Sequence, residues 1–388
     1  MMDKGILAIA AREEKRLLSR PIYLFCMIVA PLIAFLFFTT LMGEGLPSNL
    51  PAGVVDEDNT STSREIIRNL ESFQAVDVVG HYPDMASARQ AIQRGEIYAF
   101  YFIPDGTTRE AISGKQPVVS FYTAPSFLIP ASLLYRDMKM MSEYASGAVT
   151  RSTLYAKGYT EDEAMAVLQP IKMEMHAVNN PMLNYSLYLS NTLLPGILML
   201  LIMQVTIYAI YVELKEETSK EWLAMADNNM FKALVGKLLP HLLIWLSMGA
   251  FCLFLLYGVW QFPLNSGIWP MVLNMVLLVL ASMAFGLFFC CCVGHLRWAL
   301  SLATLWGVLS FPISGFSFPM MAFPAPLKAL SWLFPLRHYF LIYVDQALNG
   351  LPLSYSFVNI AIQIAFIAFP LLLLCRLKKF LLEYHYTH

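Results

Sequence analysis

The sequence predicts an α-helical polytopic membrane protein with six transmembrane helices, re-entrant helices and an inserted α/β extracytoplasmic domain. Three observations carry that prediction. The 388-residue chain is 57% hydrophobic and only 14% charged, too apolar for a water-soluble globule. Six stretches approach the roughly 20 apolar residues that cross a bilayer: residues 22–41, 188–211, 238–259, 268–292, 298–316 and 356–375. Between the first two, from Pro47 to Asn184, the composition turns polar, and strand-like runs alternate with helical ones.

Residues 1–20 form a cytoplasmic segment whose ILAIAAREEKRLLSR sets Ile6, Ile9, Ala10, Leu17 and Leu18 on one side of a helix. Arg12, Glu13, Glu14, Lys15 and Arg16 fall on the other, so an amphipathic helix at the membrane interface is expected, ending before Pro21. Residues 21–42 form the first span, kept as an anchor because no small-residue cleavage site accompanies it. Lys4, Arg12, Lys15, Arg16 and Arg20 precede that span; Lys215, Lys220, Lys232 and Lys237 follow the second. Arg297 follows the fourth, and Arg376, Lys378 and Lys379 follow the sixth. Residues 260–267 hold no Lys or Arg, and only Lys328 and Arg337 lie between the fifth and sixth spans. The asymmetry places both termini in the cytoplasm and residues 43–187 outside, with residues 188–388 completing the membrane part.

Within the outer region, Gly53 to Val55 reads as a strand and Asp56, Asp58 and Asn59 as a turn. Thr62 with Glu65 has the form of a capping box ahead of Ile66, Ile67 and Leu70. AVDVVGHY, IYAFYFIP and VVSFYTA read as further strands, MASARQAIQRG as a helix closed by Gly95, and residues 107–113 as a short helix. From Pro130 to about Val178 the pattern is helical, with Leu133, Leu134, Met138, Met141 and Tyr144 spaced at three and four. Asp56, Glu57 and Asp58 have charge enough for a cation but lack the glycine and distal glutamate of a calcium loop, which favours a solvated turn. His81 and His176 have no motif around them.

Other features exclude functions. All six cysteines (Cys26, Cys252, Cys290, Cys291, Cys292 and Cys375) lie in the spans or at their ends, so no disulfide framework is encoded. The Cys290–Cys292 run reads as packing rather than a metal or acylation site, since no histidine or second cysteine pair completes a ligand set. A net charge of −1 without a basic cluster argues against nucleic acid. No GxxxxGK[ST] phosphate loop occurs, so the chain is not itself an ATPase, and no cofactor or metal is expected on it. His241, His295 and His338 are scattered, with no acidic partner in register, and no catalytic cluster emerges.

Two segments hold the functional signal. Glu213 to Pro240, ELKEETSKEWLAMADNNMFKALVGKLLP, mixes charges with Trp222, Leu223, Met225, Phe231 and Leu234. Its apolar face must be buried against the protein's own helix ends, the lipid surface or a docked partner. The second segment is SFPISGFSFPM, Ser310 to Met320, where Pro312 and Pro319 should break the fifth helix. A break inside hydrocarbon has to be buried in protein or face water, and Ser310, Ser314 and Ser317 can bond some of the freed groups. Residues 317–340 are then cut by Pro324, Pro326 and Pro335 into pieces too short to span, with Arg337 and His338 expected near the outer headgroups. Asn191, Gln204 and Asn274 are polar residues inside spans, suited either to substrate contact or to gluing helices together.

Glu213, Thr218, Glu221, Trp222, Leu223, Gly236 and Lys237, followed by Ser314, Gly315, Phe318, Pro319, Met321, Pro324, Pro335 and Tyr339, make the chain resemble permease subunits of the ABC-2 class of ATP-binding-cassette exporters. GVVDEDNTSTSR at the start of the outer domain resembles the subgroup with a large domain between the first and second spans. Glu217 departs from the pattern, standing where glycine is usual. The resemblance implies a separate ATPase subunit, carrying ATP and Mg, that docks on residues 213–237 and on the N-terminal helix. It implies a second permease chain, identical or related, and a bacterial inner membrane. It implies an outer gate of two re-entrant helices built on Pro312, Ser314, Gly315, Phe316, Phe318, Pro319, Pro324 and Pro335. The cargo expected is hydrophobic or amphipathic, a drug-like molecule or a lipid. A periplasmic adaptor and an outer-membrane duct stay open, as does the alternative of a non-transporting anchor or receptor.

Overall fold

Among the described residues six helices are long and apolar enough to cross a membrane: Pro21–Leu41, Leu189–Lys215, Met230–Val259, Ile268–Cys292, Leu296–Ile313 and Leu353–Glu383. This is a computed structural model, which describes residues 5–41, 43, 45–171, 174, 179–180 and 184–383. The chain divides into two compact units, Met1–Gly45 with Ala177–His388, and Leu46–His176.

In the membrane unit the second and fourth spans are central. They are 67% and 72% buried, against 11% for the sixth. Small residues bring the second span close to its neighbours: a Cβ on Gly286 of the fourth span would stand 3.0 Å from the Met203 carbonyl oxygen, and one on Gly307 of the fifth would meet Leu200 at 2.8 Å. In lipid, where apolar side chains gain little by leaving the solvent, such close approach is what holds helices. The first and fifth spans turn Ile33, Leu36, Phe37, Leu305 and Val308 outward.

Span boundaries differ from the sequence expectation where protein, rather than lipid, supplies the surroundings. The third helix begins at Met230, not near 238, because the Asn229 side chain accepts from the Phe231 and Lys232 amides and caps it there. Its first turns bury Met230, Ala233 and Leu234. The sixth runs on to Glu383 because Leu377 and Leu381 are buried beyond the apolar run.

The fifth span ends at Ile313, short of 316, with Pro312 in its last turn. Ser314 and Gly315 end it, Gly315 at φ 103. The Ser310 hydroxyl donates to the Gly307 carbonyl at 2.5 Å and that of Ser314 to Phe311 at 2.8 Å. Pro319 breaks nothing, since it lies beyond the helix and only leads into a short 3₁₀ turn, Met320–Ala322; Ser317 is exposed. Two short helices follow, Ala325–Ser331 and Pro335–Tyr343, each with proline at its start, where a missing amide costs nothing. Arg337 and His338 are both buried within the unit. His338 Nδ1 meets Asn359 Oδ1 at 3.0 Å, and its Nε2 meets the Trp332 carbonyl at 2.9 Å.

The outer unit contains strands β1 (Leu50–Asp56), β2 (Val76–His81), β3 (Ala99–Ile103) and β4 (Ser120–Thr123) in the order β2-β1-β3-β4. β1 is parallel to both β2 and β3, the crossovers being the helices Ser61–Glu71 and Met85–Arg94, and β4 is antiparallel to β3. Val54, Ile67, Leu70, Tyr101, Leu134 and Met138 form the core on one face, and Val55, Ala88 and Phe100 that on the other. Gly95 closes its helix in the left-handed conformation. The capping box falls on Thr60 and Ser63, not Thr62 and Glu65. The preceding turn sets that register: Asp56 Oδ1 accepts from the amides of Asp58 and Asn59, and Asp58 Oδ2 accepts from the Thr60 and Thr108 hydroxyls. Burial opposes ionisation of Asp58, but the bonds from Thr108 and Thr60 outweigh it and hold its carboxyl below the usual range. The helical stretch from Pro130 divides into Leu128–Ala156 and Glu161–Leu168; His176 lies outside the described residues.

Leu134 is fully buried and Leu128 is 78% exposed. Leu134→Ala should cost the outer unit about 2–5 kcal/mol and Leu128→Ala no more than about 0.5 kcal/mol, as read by limited proteolysis of the full chain in increasing denaturant.

Candidate functional site

The N-terminal helix, Ile6–Ser19, buries Ile9 and Leu17 of its apolar side together with Glu13, which the amphipathic reading set on the other side, while Leu18 is 82% exposed. Glu13 decides the orientation, because a buried carboxylate must have partners. Its Oε2 lies 2.6 Å from Lys237 Nζ and its Oε1 3.0 Å from His241 Nε2, both from the third span. Lys237 Nζ also donates to Glu213 Oε1 at 2.7 Å. Arg12 forks onto both oxygens of Glu213 at 3.0 Å, and Arg16 and the Thr218 hydroxyl donate to the same carboxylate. Outward from these, Glu216 receives Arg16 at 3.0 Å and Arg20.

Glu13, Glu213, Lys237 and His241 are at most 1% exposed. Burial opposes ionisation of Glu13, yet the His241 hydrogen bond and the Lys237 charge hold its carboxyl below the usual range. Burial likewise opposes the charge on Arg16, and Glu213 and Glu13 overcome it, raising its pKa. Glu13 and Arg16 therefore keep their charges, each held by several bonds. Gly236 makes room for it: a Cβ there would stand 2.9 Å from the Ile6 carbonyl oxygen and 2.8 Å from Ile9 Cβ.

Between the second and third spans the chain forms a short helix, Ser219–Met225, rather than an open loop. Trp222 and Leu223, expected to face a partner, are fully buried. Trp222 Nε1 donates to the Ala233 carbonyl at 3.2 Å, and Lys237 Nζ sits 5.3 Å from its ring centroid. Of the three covers open to this apolar face, the protein's own helix ends provide it. The outward surface consists of Lys220, Glu221, Ala224, Asn228, Asn229, Lys232 and Phe231, the last 53% exposed. Glu217 has φ 58, left-handed backbone that glycine adopts freely, which explains the departure noted in the sequence.

Of this cluster the sequence singled out Glu213, Thr218, Gly236 and Lys237 as a functional set. It missed Arg12, Glu13 and Arg16 as their partners, and it missed the acid on His241. One signal was present: Lys237 and His241 stand one turn apart on an apolar helix, and Glu213 supplies one carboxylate for two basic groups.

The three span amides lie in separate helix contacts. Asn191 donates to the Leu187 carbonyl and accepts from the Tyr257 hydroxyl at 3.0 Å; Asn274 donates to the Tyr339 carbonyl at 3.0 Å; Gln204 donates to Thr304 Oγ1 at 2.5 Å. In the segment after the fifth span Ser314 and Phe316 are buried and Phe318 is 64% exposed. Cys290 and Cys291 are buried, and among the described residues no His, Cys, Asp and Glu group is arranged to hold a metal ion.

Residues 21–376 match the family model described as ABC-2 family transporter protein. The chain belongs to this family. The match takes in the second and third span bases and the gate segment, and begins just after the N-terminal helix. The chain is 22% identical, over 84% of its own length and 85% of the other, to the probable multidrug ABC transporter permease YbhR of Escherichia coli K12, and equally to that of strain O157:H7. As an ABC-2 permease it is a membrane subunit whose ATP hydrolysis falls to an ATPase partner.

Lys237→Met should lower stability by about 3–5 kcal/mol, because Glu13 and Glu213 are left facing each other in a dry site; thermal unfolding of the purified chain measures it. The folded pKa of Glu13 lies below its ordinary 4.5, so its stabilisation is complete above that value and is lost as pH falls through the folded value. An unfolding series from pH 7 to 3.5 should show that loss, and Glu13→Gln should flatten its share. Glu217→Gly should stabilise by about 1 kcal/mol; a lower melting temperature would refute the backbone argument.

Proposed function

We propose that this permease is the transmembrane half of an exporter for a hydrophobic or amphipathic substrate, a drug-like molecule or a lipid. Two permease chains, identical or related, form the path in a bacterial inner membrane with both termini in the cytoplasm. Support comes from the buried cluster of Glu13, Glu213, Lys237 and His241, which makes the N-terminal helix and the bases of the second and third spans one body. A force applied to the short helix Ser219–Met225 then moves two spans together, which is what coupling to closing ATPase subunits needs. ATP with Mg binds on the partner; this chain's part is to receive the motion. The relative's name, a probable multidrug permease, supports the same cargo class.

Docking is assigned to the exposed Lys220, Glu221, Phe231 and Lys232 instead of the buried Trp222 and Leu223. The protein is co-expressed with its cognate ATPase, purified in detergent and assayed for co-purification and ATP turnover. Lys220→Glu with Phe231→Ala should abolish capture at unchanged melting temperature, whereas Trp222→Ala should lose capture only by losing stability, about 3–5 kcal/mol. A wild-type chain that captures no ATPase sinks the export reading and favours the anchor or receptor alternative.

A further inference from the structure

Arg337 stands one turn into the helix Pro335–Tyr343 and is 6% exposed. Its Nε and Nη1 have no hydrogen-bond partner, and it makes no ion pair among the described residues. Its one described neighbour of note is the Trp332 ring, 5.3 Å away. The other buried charges of this unit are handled differently: Glu13, Glu213 and Lys237 each have two or more charged or polar partners. A cation left alone in a low-dielectric site is costly unless something outside the chain neutralises it.

The surrounding segment reaches well between the spans. Phe334 stacks on Trp306 of the fifth span at 4.4 Å, and the Pro335 carbonyl accepts from the buried Gln363 of the sixth at 3.1 Å. An unpaired charge at such a place marks a functional site by default. Leu333, four residues before Arg337, borders a cavity of about 410 Å3 lined by Phe285, Phe288, Phe289, Trp306, Phe366 and Phe369; Arg337 stands behind that lining, over the Trp332 ring. His338, beside Arg337, lies 5.8 Å from the Phe366 ring and 5.8 Å from that of Trp332. In the cavity wall the Trp306 indole N–H is buried without an acceptor. Cavities of this size and lining hold the apolar body of a small ligand.

We propose that this region binds an amphipathic anion, its phosphate or carboxylate on Arg337 and its chain or ring in the aromatic cavity. Arg337 offers a planar fork suited to an oxyanion, and the six aromatic rings of the lining the apolar bed. The inference deepens the export reading by naming a substrate class, and it is tested without ATP or ATPase, so its failure leaves that reading standing.

The full chain is placed in phosphatidylcholine nanodiscs, and binding of radiolabelled dodecyl phosphate is compared with dodecanol. The wild type should hold the phosphate at least roughly tenfold more tightly. Arg337→Gln should erase the preference, Arg337→Lys should keep most of it, and Phe366→Ala should weaken both ligands alike. Equal wild-type affinities for the two ligands overturn the proposal without recourse to any variant, as does a preference that survives in Arg337→Gln. Inorganic phosphate, lacking a chain, should compete poorly; effective competition at equal concentration overturns the role of the cavity. Adding phosphatidylglycerol to the bilayer separates two sources of the same chemistry. Competition assigns the anion to a bilayer lipid, no effect assigns it to a free amphiphile, and either outcome retains the site.

Discussion

Everything at the base of the spans follows from the need to neutralise two buried carboxylates with one lysine and two arginines. Glu213 and Glu13 come from segments 200 residues apart, and Lys237 lies between them. Such an arrangement is a weak source of net stability, since desolvation cancels much of the attraction. It is a strong source of uniqueness: any slide of the N-terminal helix along the third span would strand a charge. Gly236 makes the same demand sterically, because only a residue without a side chain lets the Ile6 carbonyl approach. Charge and shape therefore fix one register and make the base stiff.

The far half of the membrane unit works on another principle. There the backbone is broken by Pro312, Gly315 and Pro335, and stability depends on local bonds from Ser310 and Ser314 and on aromatic stacking around Trp306. Short helices held by side-chain contacts rearrange more readily than a long helix held by its own ladder. The contrast of a rigid base with a segmented far half is what a device with one driven end and one yielding end requires.

Much of this was legible in the sequence. The six spans, the alternating outer domain and the broken fifth helix were visible because apolar length, strand period and proline are local signals. The motif residues Glu213, Gly236 and Lys237 were visible only as a set, without a reason for their chemistry. Their reason is tertiary: Glu13 had been set on the charged side of the N-terminal helix, away from Ile9 and Leu17, and the ion cluster buries it together with them. Trp222 and Leu223 failed as a docking face for a related reason, since an apolar stripe next to a span can be covered by the protein's own chain, and sequence pattern does not say which cover wins. The capping register at Thr60 was lost to the Asp56 turn, two residues away from the expected frame.

The sequence separation of the Glu13 partners bears on how the chain is made. Synthesis runs from the N-terminus, so Glu13 emerges more than 200 residues before Lys237 and His241 exist. Until then the nascent N-terminal helix has no dry place for its carboxylate and stays in water or among lipid headgroups. It can dock only after the third span has been made. The pairing is thus a late event of biogenesis, and a chain stalled or truncated before residue 241 keeps an open base that quality-control proteases can recognise.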